Sequence, residues 1–216
     1  MGTLAVGSRD ATLEAAQARI GPNAVLQTLA AAEALEGRAT ATRIRTLAAL
    51  PEDWPEGLIP EAWFLSTLRA TRATLPTPRA DAVLREAGTR TAAYVAEHRI
   101  PRAFRALLRT LPARVALPML LTAFARHAWT FAGRGRFSVE GAYPGAIRLE
   151  DAPTCRERAP TPDALTGGYY EAAFEALLSL AAPGVRVREI ACASQGKPAC
   201  IFQIALGPVG PREGEP

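Results

Sequence analysis

Val185-Arg186-Val187-Arg188-Glu189-Ile190 alternates apolar and polar side chains, and Cys200-Ile201-Phe202-Gln203-Ile204 does the same. Alternation with a period of two is typical of a β-strand that buries one of its faces. The turn-forming residues Ser194-Gln195-Gly196-Lys197-Pro198 separate the two segments. The sequence therefore predicts a β-hairpin near its C-terminal end.

A second hairpin is predicted upstream of the first. Phe137-Ser138-Val139 and Ala146-Ile147-Arg148-Leu149 are short strand-like segments, and the glycine-bounded residues 141–145 connect them. Between the two hairpins, Asp163 to Ala182 carries apolar residues at helical spacing. The order strand, strand, helix, strand, strand predicts a small antiparallel sheet with helices packed on one face.

The first two thirds of the sequence are predicted to be helical, since proline and glycine divide them into helix-length segments. The predicted helices are Ala24–Leu35, Arg38–Leu50, Pro60–Leu75, Thr77–His98, Pro101–Leu111 and Pro112–Phe131. The fold class is therefore α/β of the α+β kind, a helical N-terminal half followed by a small antiparallel sheet. We expect one domain over residues 1–206, with a helical part (1–135) and an α/β core (136–206), and then a flexible tail (207–216).

Composition and charge narrow the class of protein. With 216 residues, 49% hydrophobic and 21% charged, the chain has the composition of a globular protein. The formal net charge is +4, but the arginines are dispersed rather than grouped in blocks, so nucleic-acid binding is not indicated. A basic surface is compatible with carboxylate ligands or with an anionic membrane.

The predicted location is the cytoplasm, with peripheral contact to a membrane left open. Residues 1–10 lack the basic and apolar regions of a signal peptide. The longest apolar run, Val115 to Ala125, is about half of the roughly 20 residues that a spanning helix needs, and it contains Pro118. No transmembrane segment is therefore predicted.

Three cysteines and one glutamate suggest a metal site. Cys192 and Cys200 flank the turn of the C-terminal hairpin, so their sulfurs can share a metal ion if the strand register brings them opposite each other. Glu189 falls on the opposite face of a regular strand, and a β-bulge near Ala191 is needed to turn its carboxylate inward. With Cys155 as a fourth donor, the set suits a closed, structural Zn²⁺ site. The alternative is three reduced, buried cysteines that fill space in the core.

The segment Glu189-x-x-Cys192, then Gly196, then Cys200-x-Phe202-x-Ile204, preceded by Gly167-Gly168-Tyr169-Tyr170, resembles the 4-vinyl-reductase domain family. This match covers about residues 136–206, and the helical half has a more general likeness to the bacteriochlorophyll-synthesis members of the family. The resemblance implies a small-molecule-binding module, zinc held by these cysteines and glutamate, and a role with tetrapyrroles. The residues from Arg156 to Pro162 form a longer insertion than the family's sensor members have.

A tetrapyrrole needs an apolar slot, a basic rim and an axial donor. On the helix from Pro112 to Phe131, Leu120, Phe124, His127 and Phe131 share one face by their spacing. We predict that His127 contacts the macrocycle and that Arg126, Arg134 and Arg136 bind its propionates. The predicted pigment site comprises Phe124, Arg126, His127, Trp129 and Phe131. The alternative for His127 is a hydrogen-bonded core residue.

Three functions remain open at this point. The first is a tetrapyrrole-binding protein that holds or delivers a magnesium porphyrin, or a chlorophyllide-type intermediate, to other bacteriochlorophyll-pathway enzymes. The second, implied by the resemblance, is a vinyl reductase acting on divinyl protochlorophyllide with an external reductant, since no dinucleotide-binding glycine motif follows a strand. The third is a small-molecule sensor or assembly module. In each case we expect the cysteine hairpin to close an apolar pocket.

Self-association through the helical half is a further expectation. Trp54, Trp63 and Phe64 either form an exposed patch that makes a homodimer or belong to the core.

Overall fold

The computed structural model describes residues 18–156 and 168–207 and shows the predicted α+β architecture. Its helices are α1 (Asn23–Glu36), α2 (Arg38–Leu47), α3 (Glu61–Thr74), α4 (Thr77–His98), α5 (Arg102–Thr110), α6 (Ala113–His127), α7 (Trp129–Ala132), α8 (Pro153–Arg156) and α9 (Tyr169–Leu178). Its strands are β1 (Arg19–Ile20), β2 (Ile59–Pro60), β3 (Arg136–Glu140), β4 (Ala146–Glu150), β5 (Arg186–Ala191) and β6 (Cys200–Ala205).

The two predicted hairpins form one four-stranded antiparallel sheet, in the order β3-β4-β6-β5. Each hairpin pairs its own strands, and β4 joins them by pairing with β6, where Ile147 lies opposite Phe202. A one-sided burial pattern follows along β6, where Cys200, Phe202 and Ile204 face the core. The alternation in the sequence therefore assigned the correct side chains to the buried face.

Most helix boundaries agree with the prediction within a few residues, and the exceptions have local causes. The predicted helix from Pro112 to Phe131 is divided at Ala128 into α6 and α7. Pro60 was expected to open α3, but it pairs with Arg19 in a two-stranded sheet, β1 and β2, that the sequence did not predict. Of the predicted helix from Asp163 to Ala182, the structure shows α9; residues 163–167 lie outside the described residues, as does most of the predicted tail (208–216).

The edge strand β5 is fixed by helix α9. Glu175 accepts a hydrogen bond from the backbone N–H of Val187 at 2.9 Å, and Glu171 accepts one from the N–H of Glu189 at 2.9 Å. Both carboxylates also pair with arginines, Glu171 with Arg85 and Glu175 with Arg186. Because i and i+4 residues lie on the same face of a helix, one turn of α9 satisfies two N–H groups of the edge strand.

The aromatic residues predicted as a dimer patch are divided between core and surface. Phe64 is completely buried, and its ring lies 5.3 Å from that of Tyr169. Trp54 and Trp63 are half-buried and pack edge to face at 5.6 Å. Phe64 therefore belongs to the core, which is the second of the two alternatives, and the exposed-patch alternative does not apply to it.

Close packing of α4 against α9 depends on Gly88. A Cβ atom at this position would overlap the backbone carbonyl of Tyr169 and crowd the backbone nitrogen of Ala173. We therefore expect Gly88→Ala to lower the free energy of unfolding by about 1–3 kcal/mol, although alanine favours helix more than glycine does. Urea denaturation measures the change. Thr89→Ala, at an exposed site on the same helix, is the control; an equal effect of both variants would contradict the packing argument.

Candidate functional site

Three cysteines and one glutamate meet at the end of the sheet. The Sγ atom of Cys155 lies 2.8 Å from that of Cys200 and 3.4 Å from that of Cys192, and Cys192 and Cys200 are 3.6 Å apart. With a carboxylate oxygen of Glu189, the four donor atoms all lie within 4.8 Å of one another. All four residues are buried. The predicted ligand set is therefore assembled, including Cys155, which precedes the insertion.

A β-bulge brings Glu189 and Cys192 to the same side. In the β5–β6 register, Glu189 pairs with Phe202 and Ala191 with Ile201, so Ile190 has no partner across the strands. This extra residue changes the alternation, and both Glu189 and Cys192 are buried while Ile190 is exposed. The bulge lies where the sequence required one. Cys192 then enters a 3₁₀ turn (Ala193–Gln195).

Cys155 lies on the short helix α8, which follows the β3–β4 hairpin. A buried ion pair between Arg156 and Glu61 fixes the position of this helix. The guanidinium of Arg156 donates two hydrogen bonds to the carboxylate of Glu61, at 2.6 and 2.7 Å. Glu61 also accepts a bond from the backbone N–H of Arg134 at 3.2 Å. A Cβ at Gly133 would overlap that carboxylate, so a glycine is required there. The sequence does not predict this pair, because a glutamate at the start of a helix has no distinguishing pattern.

The sulfur atoms cannot all carry charge without a cation. Hydrogen bonds from Cys155 and Cys200, with a further one involving Ser194, lower the pKa of Cys192. The adjoining Cys192 sulfur, together with burial, raises the pKa of Cys155 to about 12, and contact with Cys155 and Cys192 raises that of Cys200. One thiolate shared between three sulfurs is what such crowding permits. A divalent cation would change this balance and favour all three as thiolates.

The donor set fits Zn²⁺ by chemistry and enclosure. Thiolate sulfur and a carboxylate oxygen are ligands that zinc takes in tetrahedral sites, and four donors leave no position for a substrate. The four residues are all buried, and they come from three separate elements and a turn. A metal ion bound by these four donors would link the β3–β4 hairpin, through Cys155, to the β5–β6 hairpin.

Packed aromatic rings lie behind the cysteine hairpin, where an apolar pocket is expected. Phe174 of α9 stacks with Tyr170 at 5.7 Å and meets Phe202 of β6 edge to face at 5.3 Å. Phe131 and Phe137 complete the cluster, 5.7 Å apart. Helix α9 lies close enough to the sheet for its Phe174 ring to contact the rings of Phe202 on β6 and Phe137 on β3 directly. Among the described residues, these contacts leave no room for a planar pigment between Phe174 and Phe202, and a pocket closed by the hairpin stays a prediction.

An open groove lies instead beside His127, on the outer side of α5 and α6. Its volume is about 450 Å³. Its lining is largely apolar and is formed by Phe104, Pro118, Met119 and Ala123. The polar part of the lining consists of Thr122, Arg126 and His127. His127 is exposed rather than a core residue, which removes that alternative.

The structure divides the predicted pigment-site residues. Arg126 and His127 both line the groove. Phe124 is buried in the core, and Phe131 packs against Phe137 and Phe174. Trp129 begins α7, and its side chain lies outside the described residues. The sequence missed Phe104 and Met119. Met119 lies beside the apolar centre of the α6 face, which turns into the core, and Phe104 comes from the neighbouring helix α5.

Two of the three arginines predicted to bind propionates have partners within the fold. Arg134 pairs with Asp151 at 2.7 Å, and Arg136 pairs with Glu150 at 2.6 Å. Glu150 has a lowered pKa because Arg136 and then Arg148 hydrogen-bond it. Both arginines thus stabilise the start of the sheet, and Arg126 is the member of the set that lies at the groove.

Two relatives decide the family. A bacteriochlorophyll synthase 23 kDa chain from Cereibacter sphaeroides is 40% identical over 189 residues, which cover 86% of this chain and 90% of the relative. The chain belongs to the bacteriochlorophyll synthase 23 kDa chain family. A second member, from Rhodobacter capsulatus, is 36% identical over 200 residues and covers 92% of this chain and 91% of the relative. No family model matches the sequence.

Membership of the bacteriochlorophyll synthase 23 kDa chain family confirms the predicted link to bacteriochlorophyll synthesis. Neither relative is named a vinyl reductase. Within residues 18–156 and 168–207, every helix is too short or too polar to cross a membrane.

Proposed function

We propose that this chain binds a magnesium tetrapyrrole of bacteriochlorophyll synthesis in the His127 groove, and holds or delivers it to other enzymes of the pathway. The observation that carries this proposal is an open apolar groove with an accessible imidazole and a guanidinium, in a member of a bacteriochlorophyll family. The groove falls within the size range of small-molecule sites. A cytoplasmic location, where the thiols stay reduced, is part of the proposal.

Each side of the groove suits a different part of the pigment. The apolar surfaces of Phe104, Pro118 and Met119 would pack against the macrocycle. A nitrogen of the His127 imidazole would serve as axial ligand to the central magnesium, or contact the edge of the ring. Arg126 would pair with a propionate. Because the groove is open to solvent, bound pigment would stay accessible for transfer to an enzyme.

Zinc forms the second part of the proposal. We infer that Cys155, Glu189, Cys192 and Cys200 hold one structural Zn²⁺. The close approach of their buried donor atoms supports this inference. The ion would fix the two hairpins and leave pigment binding to the helical half.

Vinyl reduction is the second candidate function, and the sequence resemblance favours it. Purified protein, divinyl protochlorophyllide and either NADPH or reduced ferredoxin separate the two functions. Monovinyl product would show an enzyme, whereas a carrier binds the pigment and returns it unreduced. A sensor or assembly module would do neither with this pigment.

Replacing His127 should weaken pigment binding. We expect His127→Ala to raise the Kd for divinyl protochlorophyllide about tenfold or more, because one axial contact of about 1.4 kcal/mol or more is lost. The shift in the absorption spectrum that accompanies ligation should also disappear. Fluorescence and absorption titrations measure both changes.

His98 provides a matched control, since it is the other histidine of the chain and is exposed on α4. His98→Ala should leave the Kd and the spectrum unchanged. If His127→Ala binds pigment as the unmodified protein does, the groove is not the site. If the unmodified protein does not bind, the carrier function is wrong.

A further inference from the structure

The sequence between Glu97 and Glu140 contains eight arginines and no aspartate or glutamate. This segment forms α5, α6, α7 and the start of β3. Arg134 and Arg136 pair with acidic residues of the sheet. The other six arginines have no ion pair among the described residues: Arg99, Arg102, Arg105, Arg109, Arg114 and Arg126. Positive charge is therefore concentrated here without compensation, although the chain as a whole is only moderately basic.

Apolar side chains are exposed among these charges. Leu107 and Val115 are 43% and 42% exposed. They lie next to Arg109 and Arg114, at the connection between α5 and α6. We name these four residues, Leu107, Arg109, Arg114 and Val115, the α5–α6 corner.

The two helices are unusual for surface helices. In α5, Leu108 is the buried side chain, and the helix otherwise presents half-buried or exposed residues. In α6, Val115, Pro118, Thr122 and Ala125 face solvent at helical spacing, where charged residues of both signs are usual. A weakly polar face bordered by cations is the pattern of an interfacial helix that lies on a bilayer.

We propose that the α5–α6 corner docks on an anionic lipid bilayer, with Arg109 and Arg114 at the lipid phosphates and Leu107 and Val115 inserted at the boundary between the headgroups and the acyl chains. Charge selects this partner, because every titratable side chain of α5 and of α6 up to Arg126 is an arginine. Arginine near an anionic membrane contributes about fivefold in affinity per residue. A docking surface for a protein partner of mixed charge would carry acidic residues among these arginines.

The His127 groove opens on the same pair of helices, since Phe104 and Met119 line it. A docked protein would thus carry its groove near the membrane, where an apolar pigment is more soluble than in water. The docking proposal stands without this consequence, because it depends on the charges and exposed apolar residues and not on pigment binding.

Vesicle flotation tests the proposal with the full-length protein. We expect binding to phosphatidylcholine vesicles that contain phosphatidylglycerol, little binding to pure phosphatidylcholine, and release when the salt concentration is raised. Arg109→Glu/Arg114→Glu should lower the partition coefficient at least tenfold. Leu107→Ser/Val115→Ser should lower it several-fold at every salt concentration, since it removes insertion and not charge.

Two matched control variants make the same change in net charge, or remove the same number of exposed apolar side chains, at other places on the surface. Arg43→Glu/Arg188→Glu makes the same change in net charge at exposed positions elsewhere, and Leu35→Ser/Leu47→Ser removes exposed leucines from other helices. Both controls should bind as the unmodified protein does, and circular dichroism should show that all variants are folded. Equal losses in variants and controls, equal binding to neutral vesicles, or no vesicle binding at all would overturn the proposal. The last result would leave a protein surface as the partner of this corner.

Discussion

Protein purified with Cys200→Ser should contain no zinc, whereas the unmodified chain should contain about one zinc per chain. The Sγ of Cys200 lies 2.8 Å from that of Cys155 and 3.6 Å from that of Cys192, so its loss removes one of four donors at the centre of the set. A serine hydroxyl is a poor replacement, because it does not ionise at neutral pH as a zinc-bound thiol does. Elemental analysis by mass spectrometry measures the change directly.

The same substitution should lower stability substantially. A ligand present at about a thousand times its Kd stabilises the folded state by about 4 kcal/mol, and the zinc would be lost on unfolding. We therefore expect the free energy of unfolding to fall by about this amount. Treating the unmodified protein with a chelator should produce a similar loss, while the variant should not respond to the chelator.

Ser194→Ala is the control for this experiment. The hydroxyl of Ser194 lies 3.0 Å from the sulfur of Cys192, but it is not one of the four donors. The variant should keep its zinc, with a modest change in stability. If the three cysteines only fill space, the chelator will not affect the unmodified protein, and the zinc proposal will be wrong even though Cys200→Ser is destabilising.

Local sequence patterns were sufficient to predict the sheet and the approach of Glu189, Cys192 and Cys200 to one another. The alternation of Cys200, Phe202 and Ile204 identified the buried face of β6, and the three-residue spacing of Glu189 and Cys192 required the bulge that the structure shows at Ile190. Such features are set by the strand period within a few residues of chain. They can be read without knowledge of the rest of the fold.

The groove beside His127 could not be predicted in the same way. Helical spacing placed Phe124 and His127 on one face, but that face is wide enough for Phe124 to enter the core while His127 stays exposed. Which part of an amphipathic face is covered depends on the neighbouring helix, and Phe104 enters the groove from α5. The filling of the space behind the cysteines by Phe174 and Phe202 is likewise a matter of three-dimensional packing, not of spacing.

Removing the carboxylate of Glu61 should be strongly destabilising. The Glu61 side chain is 2% exposed and that of Arg156 is 14% exposed, so Glu61→Ala removes the main partner of a buried guanidinium and leaves it with the half-exposed Asp151 alone. Burial by itself lowers the pKa of Arg156, but the hydrogen bonds and charge of Glu61 raise it above the ordinary value, so the arginine stays charged. An uncompensated buried charge costs about 3–5 kcal/mol. Chemical denaturation should show a loss of that size.

The loss should extend to zinc, because Arg156 follows Cys155 directly and holds α8 in place. Zinc affinity, measured by competition with a chromophoric chelator, should therefore also fall in Glu61→Ala. Glu33→Ala is the control, since it breaks an exposed pair with Arg38 and should cost less than about 1 kcal/mol with no effect on zinc. The double variant Glu61→Leu/Arg156→Met should recover much of the stability, since both buried charges are then removed. A Glu61→Ala variant as stable as Glu33→Ala would mean that the existing pair with Asp151, 3.1 Å from the Nε of Arg156, is sufficient to compensate the buried charge, and it would contradict this prediction.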